Sequence, residues 1–221
     1  MMLSESVQDY LKAIYSLRHE NERATTNALA ARLNVTAASV TGMLKKLAEL
    51  KLVLYEPYQG ATLTPAGEKI ALEVIRHHRL IELYLTEAMG YSWDQVHAEA
   101  DRLEHAISEE FEDRISTLLG HPTVDPHGDP IPTKDGEIAA SSRNTLDAAA
   151  AGSTVRIERV RDEDPATLRE VAELGLTPQT VVTVGNRTGD AALIVYLADG
   201  QPRRISTSIA RSIFVVDADA S

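Results

Sequence analysis

The chain has 221 residues, 43% of them hydrophobic, which is enough for two or three small packed domains and excludes wholesale disorder. It has no cysteine, so disulfides, zinc fingers and thiolate metal sites are excluded, and any metal site must use nitrogen and oxygen ligands. The net charge of −11 looks wrong for a nucleic-acid binder, but it is uneven: residues 1–70 hold 8 Lys+Arg against 7 Asp+Glu, the rest 14 against 26. The N-terminal third can therefore approach DNA, while the acidic remainder attracts cations. No apolar run approaches the roughly 20 residues a membrane span needs, and no secretory signal opens the chain. The expectation is a cytoplasmic protein with no membrane partner.

The spacing of Val7, Tyr10, Leu11, Ile14 and Leu17 predicts a first helix beginning at Ser4. "TTNALAARL" predicts a short second helix capped by Thr25 or Thr26, and "NVT" a tight break. "AASVTGMLKKLAEL" predicts a third helix with Val40, Leu44 and Leu47 facing inward, and "LVLYEPYQGATL" two short strands around a turn. Helix, short helix, tight turn, helix and hairpin make a winged helix-turn-helix.

Thr64 and Pro65 are placed to start a long helix ending at Gly90. Ser92 and Gln95 form a capping box for a second helix running to Leu119. A Pro/Gly-rich loop, "HPTVDPHGDPIPTKDGEI", and a linker, "SSRNTLDAAAAGS", follow. From Thr154 the pattern becomes alternating β runs, "TVRIERV", "VVTVGN", "ALIVYLA" and "SIFVV", with one helix, "PATLREVAEL". This is a small SH3-like β-barrel. The whole is α+β and mainly α.

The stretch "VHAEADRLEH" carries two histidines and three carboxylates. On a continuous helix Val96, Ala100, Leu103 and Ile107 fall within about 60°, and His97, Asp101, Glu104 and His105 fill an adjacent arc of about 100°. Charged groups beside a core face are costly to bury without a cation. The preceding helix repeats the pattern, with His78 and Glu82 one turn apart, and a hairpin of the two would bring all these groups together. Imidazoles and carboxylates at this spacing suit a divalent metal. A solvated face of i, i+4 ion pairs is the other reading.

Several stretches, above all "RHHRLIELYL", "VHAEADRLEHAISEEFEDRI" and "HPTVDPHGDPIP", resemble the diphtheria toxin repressor family of metal-dependent transcriptional regulators along nearly the whole chain. The resemblance implies a winged helix (1–64), a helical metal-binding and dimerisation domain (65–140), a linker (141–152) and an SH3-like, FeoA-type domain (153–221). It implies two metal sites per subunit: a primary one of Asp9, Asp101, Glu104 and His105, and an ancillary one of His78, Glu82 and His97, with Asp164 as a ligand from the third domain. The toxin-repressor branch uses a methionine and a cysteine where this chain has Asp9 and Asp101, so the ligand set is harder and resembles that of the manganese-responsive branch. That branch usually adds a glutamate one turn after the aspartate, where this chain has Lys12, so two separated sites are expected rather than a two-ion cluster. Asp125 stands where relatives often have cysteine, and His127 reads as structural.

The function implied is a Mn2+-dependent, alternatively Fe2+-dependent, homodimeric repressor of metal transport and homeostasis genes, bound to a palindromic double-stranded operator. Thr36, Ala38, Ser39 and Thr41 open the recognition helix and are small enough to approach bases. Lys45, Lys46 and Lys51 are placed to hold phosphates, with Tyr58 and Gln59 on the wing. A winged-helix sensor of an organic ligand is one rival. A helical di-metal carboxylate enzyme is another, but it needs an E-x-x-H motif on two helices, and here Glu104 and His105 are adjacent. No nucleophile elbow or phosphate loop is present, so the protein is read as no enzyme.

Overall fold

The computed structural model describes residues 3–19, 23–56, 59–161, 164–187 and 192–218. The chain forms two compact units. The first holds the chain up to His77 with Glu104–Ile107 and Pro132–Glu137; the second holds His78–Leu103, Ser108–Ile131 and Ile138–Ser221.

In the first unit, helix α1 (Glu5–His19) starts where the Ser4 carbonyl accepts from Val7 and Gln8. It buries Val7, Tyr10, Leu11, Ile14 and Leu17. Helix α2 (Thr26–Arg32) is capped by Thr25, whose hydroxyl accepts from the Ala28 N–H at 3.2 Å. The tight break is made by Asn34 in the left-handed region at φ 52°, with Val35 N–H closing back on the Ala30 carbonyl. Helix α3 (Ala37–Glu49) follows, capped by Thr36, with Val40, Leu44 and Leu47 fully buried. Strands β1 (Val53–Glu56) and β2 (Gly60–Leu63) pair antiparallel, Val53 opposite Leu63. This is the expected winged helix-turn-helix.

Two glycines let backbones meet here. The Ala61 N–H donates to the Ala24 carbonyl, and Gly60, at φ 100°, would place a Cβ only 2.7 Å from that oxygen. Helix α4 (Pro65–Met89) is started by Thr64, whose hydroxyl accepts from Gly67 N–H and donates to the Lys51 carbonyl. A Cβ on Gly67 would lie 2.0 Å from the Leu52 carbonyl oxygen. The start of α4 is thus pressed directly onto the chain entering the wing.

The second unit takes the rest of α4, α5 (Val96–Leu103) and α6 (Glu109–Leu118). The single helix expected from the Ser92 capping box to Leu119 is not there. Residues 93–95 form a turn, α5 ends at Leu103, and α6 starts afresh after Ser108, whose hydroxyl accepts from Phe111 N–H. Ser108 followed by Glu109, Glu110 and Glu112 is a strong helix start: a side-chain cap and acidic residues at the positive end of the new dipole. Leu80, Ile115 and Ile131 pack together with Tyr84 and Leu119 against them. In the loop after α6, Asp125 Oδ1 accepts from the N–H groups of His127 (2.8 Å) and Asp129 (2.9 Å). Arg79 donates to the Pro130 carbonyl and lies near Asp125 and Asp129.

Beyond it come β3 (Thr154–Val160), α7 (Pro165–Glu173), β4 (Val181–Arg187), β5 (Ala192–Tyr196), β6 (Pro202–Ser206), α8 (Thr207–Ser212) and β7 (Ile213–Asp217). The strands form an antiparallel sheet in the order β6-β5-β4-β3-β7. Its core includes Ile157, Val160, Leu168, Val171, Val195, Ile205 and Ile213. Sequence reading missed β6 and α8, and the segment expected as linker contributes the fully buried Leu146 from a short 3-10 turn. Trp93 packs against the same core, and the Val160 N–H donates to the His127 carbonyl at 2.8 Å. Among the described residues no helix is long and apolar enough to cross a membrane.

Replacing Gly67 with Ala must push the start of α4 away from Leu52. The expected cost is about 2 kcal/mol or more, measured as a lower thermal midpoint, whereas Gly42→Ala, where a Cβ meets nothing within 4 Å, leaves the midpoint unchanged or raised.

Candidate metal centre

The first unit gathers Asp9, Glu104 and His105, with one ligand atom from each lying within 4.8 Å of the others. Asp9 lies on α1. Glu104 and His105 follow the end of α5, so they leave its helical face, and the Glu104 carbonyl is held by His77 Nδ1 at 3.2 Å. His105 Nε2 is 2.9 Å from Asp9 Oδ1, and its Nδ1 is 2.6 Å from Gln8 Oε1. Gln8 therefore fixes the ring so that Nε2 faces the carboxylates, the usual task of a residue behind a metal-binding histidine. Glu104 is buried, and both its oxygens bond Lys12 Nζ, at 3.0 and 2.7 Å. Burial raises the Asp9 carboxyl above the usual range; the His105 charge opposes this and that of Glu104 adds to it.

The second unit builds a larger cluster on α4 and α5. Glu82 Oε1 is 2.9 Å from His78 Nε2 and 3.1 Å from His97 Nδ1, and the two histidine nitrogens are 3.0 Å apart. Three ligand atoms converge on one point, with the expected i, i+4 pair at its base. Asp101, which the resemblance assigned to the primary set, lies here against both imidazoles, 3.3 Å from His78 Nδ1 and 3.6 Å from His97 Nε2. The physical reason is the end of α5. Asp101 stays one helical turn from His97, while Glu104 and His105, beyond Leu103, do not continue the arc a longer helix would give.

The other oxygen of Glu82 faces a third group. His127 Nδ1 is 3.8 Å from Glu82 Oε2, and Glu82, Asp125 and His127 have ligand atoms within 4.8 Å of one another, all three buried. Glu82 Oε2 and Asp125 Oδ2 are buried oxygens with no hydrogen-bond partner among the described residues. Burial pushes Glu82 up, but the His78 charge and the imidazoles around it hold it well below the usual carboxylate range. Burial, then the charges of Asp129 and Glu82, push Asp125 well above it. His127 does bond backbone, as a structural residue should, through Nε2 to the Trp93 carbonyl at 2.7 Å. Its other nitrogen was not expected to face Glu82. The only signal for this in the sequence was a histidine and an aspartate in a Pro/Gly-rich loop.

These residues fit a divalent cation. The donors are nitrogen and oxygen only, they converge in groups, and two buried carboxylate oxygens lack a hydrogen-bond partner among the described residues. Asp164 has different work. Fully exposed, it caps α7 through bonds from Ala166 N–H and from the Thr167 N–H and hydroxyl.

Most of the DNA-reading candidates lie on α3 or at its cap, with Lys51 just beyond its end and Gln59 in the hairpin. Thr36, Ala38 and Ser39 are exposed at its start; the Thr36 hydroxyl accepts from Ser39 N–H and lies 2.9 Å from the Ser39 hydroxyl. Thr41 is half-buried, and its hydroxyl donates to the Ala37 carbonyl. Lys45, Lys46, Lys51 and Gln59 are exposed; Tyr58 lies outside the described residues.

Comparison with known proteins fits each part of this architecture. Residues 2–61 match the iron dependent repressor N-terminal DNA binding domain, 64–133 the iron dependent repressor metal binding and dimerisation domain, and 144–217 the FeoA domain. The iron-dependent repressor IdeR of Mycobacterium leprae is 30% identical over 211 residues, 90% of each chain. The diphtheria toxin repressor of Corynebacterium diphtheriae is 33% identical over 167 residues, 72% of this chain and 74% of its own. A solved manganese-dependent transcriptional repressor in complex with manganese superposes with a TM-score of 0.90 at 37% identity, covering 96% of this chain and 99% of its own. ScaR with bound Zn2+ superposes with a TM-score of 0.80 at 31% identity, covering 96% and 99%. These relatives are DNA-binding repressors, not enzymes, and this chain belongs to their family, the metal-dependent transcriptional repressors of the diphtheria toxin repressor type.

Proposed function

We propose that this chain is a Mn2+-responsive, cytoplasmic repressor with two metal sites per subunit, whose homodimer binds a palindromic operator controlling metal transport and homeostasis genes. The observation that carries this reading is the sorting of hard ligands into two groups: Asp9, Glu104 and His105 in one unit, and Glu82, His78, His97 and Asp101 in the other. Asp125 and His127 extend the second group behind Glu82. Carboxylates and imidazoles without sulfur favour Mn2+ over softer ions, and Fe2+ is the nearest competitor. Asp164 is left out of the ligand set because its oxygens already serve α7.

A divalent ion supplies positive charge that several carboxylates can share. In the first group, Asp9 lies on the opening helix of the DNA-binding domain, and Glu104 and His105 lie in a distant stretch of sequence. Drawing these side chains together fixes α1, against which α2 packs, and so fixes the DNA-reading helix in turn. DNA and metal then favour the same state, and each must raise the affinity of the other equally. On α6, Phe111 and Leu118 are exposed and seven residues apart, hence on one face, an apolar surface suited to a second copy. Two α3 helices held one DNA turn apart read a palindrome. Their small exposed side chains contact bases closely, while Lys45, Lys46 and Lys51 hold phosphates, with Gln59 on the wing.

The direct test is selection from a random double-stranded pool with Mn2+ and, separately, with EDTA. A palindrome enriched only with Mn2+ is expected; equal enrichment in both sinks the reading, and a parallel anaerobic Fe2+ arm ranks the metals. Asp9→Ala should abolish metal-dependent DNA binding while gel filtration still gives a dimer. Retention of a metal-dependent mobility shift by that variant would remove Asp9 from the mechanism. Metal affinity should fall at least about tenfold between pH 7.5 and 5.5, because imidazole ligands must be neutral. Asp9 works in the same direction: its raised pKa means it takes up a proton at a higher pH than an exposed aspartate. Titration calorimetry at both pH values checks the sign.

A further inference from the structure

We propose that Lys12 is a built-in competitor for metal: its ammonium, bonded to both oxygens of Glu104, occupies one cation position of the Asp9–Glu104–His105 cluster, limits the cluster to a single divalent ion, and sets the metal concentration at which it fills. This rests on the reading of that cluster as a metal site.

Lys12 lies three residues after Asp9 on α1, so both side chains leave the same face of the helix. Its Nζ is 3.0 Å from Glu104 Oε1 and 2.7 Å from Oε2. The pair is poorly screened, since the Glu104 side chain is 1% exposed and that of Lys12 20%. A buried carboxylate deprived of a bonded cation is strongly disfavoured, so Lys12 stabilises the ion-free cluster. Both Glu104 oxygens are engaged, and a metal ion that uses either must share it with the ammonium or displace it. The ion therefore binds against a competitor that is always present, at an effective concentration fixed by the helix.

The same charge limits the count. One divalent ion beside Lys12 balances Asp9 and Glu104 with one positive charge to spare. A second ion would leave three in excess around a half-buried aspartate and a buried glutamate. Lys12 and His105 both crowd Glu104: the ammonium bonds both its oxygens, and His105 Nε2 lies 3.5 Å from Oε1. A specificity device results that needs no extra ligand: the cluster rejects a pair of ions by charge and rejects weakly bound ions by competition.

The test uses the full-length protein with Mn2+ alone, read by titration calorimetry and electron paramagnetic resonance. The ion belonging to this cluster is the one lost in Asp9→Ala. Lys12→Met, which keeps the packing stem and removes the charge, should bind that ion at least tenfold more tightly with unchanged stoichiometry. Lys12→Glu should take up one further ion per chain, with the spin-coupled signal of a manganese pair. Lys12→Arg keeps the charge and grips a carboxylate with two parallel bonds, so it should bind the ion no more tightly than the parent. That direction stays readable if Lys12→Met folds poorly. Equal or weaker binding by Lys12→Met, an unchanged ion count in Lys12→Glu, or tighter binding by Lys12→Arg would each overturn the proposal, because Lys12 would then be orienting Glu104 for the metal. An ion count that Asp9→Ala leaves intact would overturn the site reading itself.

Discussion

A carboxylate taken out of water needs positive charge or hydrogen-bond donors close by, and among those this molecule buries are Glu82 and Glu104, one in each unit. Glu82, fully buried in the middle of α4, is met by His78, His97 and His127. Glu104, nearly as buried, is met by Lys12. An apolar residue of similar size could fill either volume without that electrostatic cost. The presence of the two glutamates commits the surrounding sequence: a histidine one turn before Glu82 on α4, a histidine at the start of α5, a histidine in the proline-rich loop, a lysine one turn after Asp9. A protein organised this way is stable in proportion to how well cations are supplied at two points.

Much of the winged helix was legible in the sequence because its signals are local. Thr25, one of the two threonines expected as a cap, caps α2, and Val40, Leu44 and Leu47 are buried as the helical period requires. The break between α5 and α6 was not legible from periodicity, because Val96, Ala100, Leu103 and Ile107 keep one helical phase across it. The decisive signal was the cap at Ser108 with its run of glutamates, which competes locally with continuation of α5. Strand β6 was missed because "PRRIS" has a single fully buried side chain, Ile205, and two arginines, so it lacks the alternation that marked its neighbours.

The candidate site divides along the same line. Groups linked by helical spacing, such as His78 with Glu82 and His97 with Asp101, could be paired from sequence. Groups brought in by chain reversal could not. Nothing local says that His127 turns one nitrogen to the Trp93 carbonyl and the other toward Glu82, or that Lys12 reaches across 92 positions to Glu104. The resemblance to a known family supplied Asp9 with Glu104 and His105, which composition and spacing alone did not. It also placed Asp101 with that set, whereas the end of α5 leaves it beside His97.

The outward side of α3 is made of Ala38, Ser39 and Gly42, exposed residues that the core does not use; a Cβ on Gly42 would meet nothing. The inward side, Val40, Leu44 and Leu47, carries the stability. On the proposed reading of α3 as the DNA-contacting helix, its two tasks, folding and reading, sit on separate residues. Evolution could then rewrite the operator by single substitutions on one face, with no compensating change in the domain beneath. Gly42 in particular is a vacant address at which a new side chain can be tried without first making room for it.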